Sequence, residues 1–145
     1  MWLERLLTSR VTQAIELSAR FAEQRNNVLM ENVANINTPD FHARSLDQPV
    51  FEKALRDAFK NADRRGEQRL NLRGNAQVST DAAGDLRVKP QVEPASNVLF
   101  HDGTNAQLES LMADVQSNAL RYNLATTMLR GRFDGLLTAI RGRVQ

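Results

Sequence analysis

The sequence predicts a mainly α-helical protein in which long N- and C-terminal helices pair as an elongated coiled-coil hairpin around a smaller, irregular, β-containing middle insert. Two observations lead to this prediction. The C-terminal segment carries two interleaved heptad series of mostly apolar residues, and all four prolines lie between residues 39 and 94. We therefore expect a discontinuous helical domain from residues 1–38 and 102–145, with the insert formed by residues 39–101.

The N-terminal helix is predicted from a weaker heptad pattern. Ile15, Ala22, Leu29 and Ile36 recur every seven residues. The positions between them are more polar, so the apolar face is narrow and needs a partner helix. Pro39 should end this helix, because the residue before a proline avoids helical geometry.

The middle insert shows short elements only. Residues 50–64 have the apolar spacing of a short amphipathic helix with Pro49 near its start. Residues 77–89 read as a small β-hairpin that turns at 81–84, and residues 90–103 as an extended connection.

The C-terminal helix should run over residues 104–143, loosened near Gly131 and Gly135, because glycine lowers helix propensity. Nine of the ten heptad positions are apolar, with Thr126 as the exception. The predicted packing residues of this seam are Leu108, Met112, Val115, Ala119, Tyr122, Leu129, Phe133, Leu136 and Ile140.

Four more leucines of this helix, Leu111, Leu120, Leu124 and Leu137, fall outside the seam. Each terminal helix then has more apolar surface than one neighbour covers, which predicts further helical partners. The interior of an ordinary three- or four-helix bundle would show the same periodicity, and the periodicity alone leaves both interpretations open.

The composition argues against most enzyme chemistry. The chain has no cysteine and two histidines, His42 and His101, and it contains no phosphate-binding loop, nucleophile elbow or zinc-ligand spacing. We predict no catalytic residue, no metal, no cofactor and no small-molecule substrate. The N-terminus lacks the pattern of a secretory signal, and no segment has the roughly 20 apolar residues that span a bilayer, so membrane insertion is not expected.

The last helix is the only basic region, with five arginines against three acidic residues from 104 to 145. Arginines at 121, 130, 132, 141 and 143 could contact phosphates, which makes a helical nucleic-acid-binding protein the rival hypothesis. A solvated helix face or salt bridges to a neighbouring subunit explains them more simply, so we expect no nucleic acid as partner.

Three asparagines stand near the end of the first helix, Asn32, Asn35 and Asn37. Asn32 and Asn35 share a helix face, where their amides either bond backbone or a neighbouring helix, or only terminate the helix.

This segment resembles the N-terminal motif of the bacterial flagellar axial proteins of rod and hook, approximately N-[IV]-A-N-x-x-T-P-G-[FY]. The matching residues are Asn32, Val33, Ala34, Asn35, Thr38, Pro39 and Phe41. Asp40 stands where the family usually has glycine, and aspartate tolerates left-handed backbone better than most residues. The short chain, the residues 43–47 and the segment 102–105 resemble the proximal rod proteins of the family.

The resemblance implies a non-enzymatic structural subunit near the base of the flagellar rod, in the periplasmic space. Its implied partners are copies of itself, other rod and basal-body proteins, and the flagellar type III export apparatus, which takes family members without a cleaved signal peptide. The packing residues of the last helix and the motif residues around Pro39 are then the expected assembly sites.

Overall fold

The structure, a computed structural model, describes residues 9–73, 75–93 and 103–142, and of residues 103–106 it describes the backbone. Its element order is α1 (Arg10–Ala34), β1 (Arg44–Ser45), α2 (Gln48–Arg65), β2 (Val78–Thr80), β3 (Leu86–Val88), β4 (Gln91–Val92) and α3 (Gly103–Arg141). The prediction of a mainly α-helical protein is confirmed. The outer ends of the predicted helical domain, 1–8 and 143–145, lie outside the described residues, as do most of the predicted connection at 90–103 and the residue His101.

The first helix begins and ends at capping residues. Ser9 accepts a hydrogen bond from the Thr12 N–H at 3.2 Å through its hydroxyl, and its carbonyl accepts from the Gln13 N–H. At the other end the Asn35 N–H donates to the Glu31 carbonyl at 3.1 Å, and the Ile36 N–H donates to the Val33 carbonyl at 3.4 Å. The helix therefore ends at Ala34, five positions before Pro39.

Helix α2 covers the range in which the sequence predicts a short helix. Pro49 lies in its first turn, where the missing N–H is harmless. Gly66 ends it in left-handed geometry with φ of 65°, a conformation that glycine adopts without the cost of a Cβ. Arg10 pairs with Asp63 and so ties α2 to the start of α1.

The strands form two separate antiparallel pairs. β2 pairs with β3 in the register Val78 with Val88 and Thr80 with Leu86. β1 pairs with β4, placing Arg44 opposite Val92. The β1–β4 pair is not among the sequence predictions, and it brings residues that stand nearly fifty positions apart to one place.

The largest buried cluster lies between α1 and the middle of the chain. Phe21 of α1 stacks on Phe51 of α2 with ring centroids 4.3 Å apart and planes 8° from parallel. Both rings are 1% exposed, so this pair anchors α2 on α1. The apolar cluster around them consists of Ala14, Leu17, Val28, Leu46, Ala54, Ala58, Ala62, Leu70, Leu72 and Val78.

A different side of α1 packs against α3. The Asn118 side-chain amide donates to the Ala22 carbonyl at 2.7 Å, and Arg25 reaches Asp114 at 3.3 Å. Residue numbers rise along α1 as they fall along α3, so the two helices run antiparallel. Helix α3 continues without a break through Gly131 and Gly135, where the sequence analysis expects loosening.

Candidate assembly site at the end of the first helix

Asn32 joins the end of α1 to the strand that follows it. Its amide nitrogen donates to the Arg44 carbonyl at 2.7 Å, and its amide oxygen accepts from the Arg44 N–H at 3.0 Å. One side chain thus satisfies both polar groups of one backbone residue, as a neighbouring strand would. Asn32 is 4% exposed. Of the two interpretations that the sequence left open for its amide, the structure shows the one in which the amide bonds to backbone.

Asn35 and Thr38 build the turn that ends α1. The Asn35 backbone N–H and its side-chain amide both donate to the Glu31 carbonyl, at 3.1 and 2.9 Å. The Thr38 N–H donates to the Asn35 carbonyl at 2.9 Å, and the Thr38 hydroxyl lies 3.3 Å from the Asn35 amide oxygen. Asn35 terminates the helix, while Asn32 leaves it for a tertiary contact.

Asp40 has φ of 60°, the one positive value among the described residues that are not glycine. The left-handed turn of the resembling motif is therefore present although its usual glycine is not. Aspartate is among the residues that adopt this geometry at the lowest cost. The turn directs the chain from Pro39 back toward β1.

Arg25 connects three parts of the molecule at the same end. Its Nε donates to the Leu46 carbonyl at 3.0 Å, and its Nη2 contacts the Asp114 carboxylate of α3. The side chain is 14% exposed. Charge-assisted bonds of a largely buried guanidinium hold α1, the segment after β1 and α3 in fixed relation.

A cleft of about 510 Å³ opens between this turn and the first part of α3. Asn32, Asn35, Thr38 and Phe41 of the motif line one side, and Leu111 lies on the other. His42, an exposed residue, is also at its edge.

The titratable groups do not form a catalytic arrangement in the described part of the chain. A hydrogen bond to Asp85 raises the pKa of Arg20, and the Asp85 backbone N–H, followed by Arg87, lowers the pKa of Asp81. Both groups lie on the surface away from the cleft. Residues 9–73, 75–93 and 103–142 contain no group of three or more histidine, aspartate or glutamate side chains placed to hold a metal.

The predicted packing residues of α3 are mostly on the surface of the single chain. Val115, Leu129 and Leu136 are half-buried. The exposed members are Leu108, Met112, Ala119, Tyr122, Phe133 and Ile140. Their burial by neighbouring subunits stays a prediction.

The most buried residues of α3 are not among the predicted packing residues of the heptad seam. Asn118 is 1% exposed and Ala125 is 6% exposed. They lie beside the heptad seam, and the signal available in the sequence was the small size of Ala125 and of Ala22, the residue that Asn118 contacts, because small residues let two helices approach closely.

Among the described residues, none of the helices is long and apolar enough to cross a membrane.

Comparison with known proteins finds similarity to flagellar basal body rod proteins over most of the chain. The flagellar basal body rod protein FlgB of Cereibacter sphaeroides is 30% identical over 120 residues, which cover 83% of this chain and 85% of the relative. FlgB of Salmonella typhimurium is 25% identical over 124 residues, covering 82% and 84%. FlgB of Borreliella burgdorferi is 27% identical over 123 residues, covering 80% and 87%. No protein-family model matches the chain.

Proposed function

Because the chain belongs to the FlgB family of flagellar basal body rod proteins, we propose that it is a structural subunit of the proximal rod, polymerises through its terminal helices and helps to transmit torque. The observation that carries this proposal is the similarity to FlgB over more than four-fifths of both chains. The flagellum, its basal body, the rod and cell motility are the setting in which the family acts.

The antiparallel contact of α1 and α3 supports assembly through the terminal helices. In the proposed subunit these helices form the coiled-coil hairpin, and the part of α3 beyond residue 130 extends past the level of Arg10, the first residue of α1. This follows from the pairing of Ala22 with Asn118 and of Arg25 with Asp114, which sets residues opposite each other when their numbers add to about 140.

The exposed packing residues of α3 supply the energy of assembly in this proposal. Phe133 and Ile140 are 43% and 62% exposed. Burying one such side chain completely is worth about 1.5–3 kcal/mol, and several must be buried together to exceed the cost of association. The same side chains are predicted to contact copies of this chain and other rod and basal-body proteins.

The motif turn has a separate role in the proposed subunit. Asn32, Asn35, Thr38 and Pro39 fix the direction in which the chain leaves α1, and so position that helix against its neighbours. No catalytic step, cofactor or small-molecule substrate enters the proposed function.

The subunit is proposed to leave the cytoplasm through the flagellar type III export apparatus without cleavage of a signal peptide, and to reach the periplasmic part of the basal body. The related proximal rod protein FlgC is the alternative from the resemblance, and the relatives that support the proposal carry the name FlgB. The nucleic-acid-binding alternative is favoured less than the rod subunit. One of the arginines on which it depends, Arg121, already contacts Glu52 of the same chain at 3.1 Å.

Electron microscopy of basal bodies from a strain that lacks the gene tests the proposal. We expect the deletion strain to form membrane rings without a rod and to lose swimming. The rod and swimming should both return when the gene is restored. Intact rods and normal swimming in the deletion strain would overturn the proposal. Binding of DNA or RNA by the purified chain, with an affinity that falls steeply with salt, would then support the nucleic-acid alternative.

A further inference from the structure

Helix α3 carries an uncharged face that the single chain leaves uncovered. At its centre are Leu120, Leu124 and Met128, which are 70%, 62% and 52% exposed. Because successive residues of a helix are separated by about 100°, these three share one face with Gly131 and Gly135. The centre of this face lies roughly a third of a turn away from the buried Asn118 and Ala125, and so away from α1.

The two glycines have no explanation within the chain. A Cβ placed on Gly131 or Gly135 would meet no atom within 4 Å, and both have ordinary helical backbone. Glycine inside a helix lowers stability relative to alanine. In membrane helices, small residues four positions apart are typical of surfaces on which a second helix approaches closely, and the same steric reason applies here.

The large and small residues of this face match each other at one offset. Leu120 and Leu124 stand eleven positions before Gly131 and Gly135. Eleven residues are close to three helical turns, or an axial shift of about 17 Å. In a parallel copy of α3 shifted by that amount, Gly131 and Gly135 lie opposite Leu120 and Leu124 of the first copy. Met128 of the shifted copy then lies opposite Ser117 of the first copy.

The charges that border the face distinguish this arrangement from its main competitor. Arg121, which also contacts Glu52 of its own chain at 3.1 Å, lies on one flank together with Arg132. Glu109 and Asp134 lie on the other flank, with Arg130 at its outer edge. In a parallel pair opposite flanks meet, so the shift brings Arg121 of one copy near Asp134 of the next and near Glu109 of the copy on its other side. In an antiparallel pair, equivalent flanks of the two helices meet. Matching the leucines to the glycines in that orientation places Arg121 of each copy beside Arg132 of the other copy, which makes two repulsive contacts. Charge complementarity favours the parallel, shifted pair.

We infer that the face formed by Leu120, Leu124, Met128, Gly131 and Gly135 binds α3 of a second copy of this chain, parallel and shifted by about three helical turns. This inference rests on the proposed function and names the surface and the partner of that assembly. The contact is heterologous, because one copy offers its leucines where the next offers its glycines. Such a contact does not close on itself and can repeat along an axis.

Gly131→Leu tests the face without harming the single chain. Because a Cβ at this position meets no atom of the chain within 4 Å and leucine favours helix over glycine, the variant monomer should melt at the same or a higher temperature than wild type. We expect the gene for this variant, placed in the deletion strain, to give at least a tenfold reduction in swimming rate, because leucine closes the space that Leu120 of the next copy needs.

Asn123→Leu is the matched control. Asn123 is exposed on the same helix and lies outside the face, so the variant adds the same side chain and should swim like wild type. Normal swimming of the Gly131→Leu strain would overturn the inference. If the deletion strain itself retains rods, the proposed function fails instead, so the two failures are distinguishable.

Cysteine cross-linking identifies the occupant of the face, because the chain has no cysteine of its own. Leu120→Cys and Gly131→Cys in one chain should give a ladder of cross-linked multimers in purified basal bodies after oxidation. Met128→Cys alone should give none, since residue 128 meets its own equivalent only in the antiparallel pair. Dimers of the Met128→Cys variant, or functional rods without the ladder, would exclude the parallel second copy as occupant.

Discussion

Replacing Asn32 by alanine should separate β1 from the end of α1. The change removes both side-chain hydrogen bonds to the Arg44 backbone, at 2.7 and 3.0 Å. It leaves α1 itself intact, because alanine is a better helix former than asparagine.

The expected cost follows from those two bonds. Each contributes about 0.5–1.5 kcal/mol net, and the Arg44 residue is exposed, so water can replace part of what is lost. We expect the free energy of unfolding to fall by about 2 kcal/mol, and Tm by about 6–8 °C for a chain of this length. Urea unfolding followed by circular dichroism measures the first quantity, and calorimetry the second.

The variant Asn32→Asp gives the sharper result. Its carboxylate can still accept from the Arg44 N–H, but the second oxygen then faces the Arg44 carbonyl, which is also an acceptor. Burial and this carbonyl raise the pKa of the new carboxyl in the folded state. A protonated carboxyl can donate to the carbonyl, so the variant should regain stability relative to wild type as the pH falls toward about 4.

Asn27 provides the control, as an exposed asparagine of the same helix. Asn27→Ala and Asn27→Asp should change the free energy of unfolding by less than about 0.5 kcal/mol, with no recovery at low pH. A loss below about 0.5 kcal/mol for Asn32→Ala, or an Asn32→Asp variant as stable as wild type at pH 7, would refute the assignment of Asn32 as the link between α1 and β1.

Three further changes probe other parts of the chain. Asn118→Leu should raise the free energy of unfolding by about 1 kcal/mol in a denaturant titration, because it removes a buried amide oxygen without a partner. A large fall in the free energy of unfolding would show instead that the hydrogen bond to Ala22 dominates. Asp40→Gly should leave stability unchanged or raise it by up to about 1 kcal/mol, and Asp40→Val should lower it by more than that, since φ is 60°; equal effects in thermal melts would contradict a left-handed turn. The lowered pKa of Asp81 means that its contribution to the β2–β3 hairpin is complete above the ordinary value of 3.8 and is lost as the pH falls through the lower folded pKa; an NMR titration that places this pKa at or above 3.8 would contradict the hydrogen bonds from Asp85 and Arg87.

The helices could be predicted because their signals are local. Prolines at 39 and 49 and apolar periodicity define α1 and α2 from the sequence alone. The strands β1 and β4 could not be predicted, since elements of two residues carry no periodicity. Their pairing depends on a tertiary contact between distant segments.

The face that α3 presents to α1 was harder to assign than the helix itself. A heptad series has a period of 3.5, whereas a straight α-helix has 3.6 residues per turn, so the series drifts by about 20° per heptad. Over a helix of 39 residues such a drift moves residues such as Tyr122 and Phe133 away from one fixed partner. Contact with α1 instead falls on Asn118 and Ala125, beside the heptad positions.

The amide pattern near Pro39 was partly predictable for a related reason. Residue type and spacing allow Asn32 and Asn35 to bond backbone or a neighbouring helix, or only to terminate the helix, and in the structure both bond backbone. The partner of Asn35 is within its own helix and follows from local geometry. The partner of Asn32 is twelve positions away along the chain, beyond a turn whose direction depends on Asp40.

The β1–β4 pair has a consequence for how chains of this kind can differ in length. Arg44 and Val92 stand directly opposite each other, about 5 Å apart as neighbouring strands are, and the Glu93 N–H adds a bond to the Ala43 carbonyl. The chain segment between Arg44 and Val92 therefore begins and ends at the same place in the fold. Insertions in the exposed turns of that stretch can therefore change the bulk of the molecule while the spacing of α1 and α3 is conserved, whereas the residues that pack on α1, such as Phe51, must be kept.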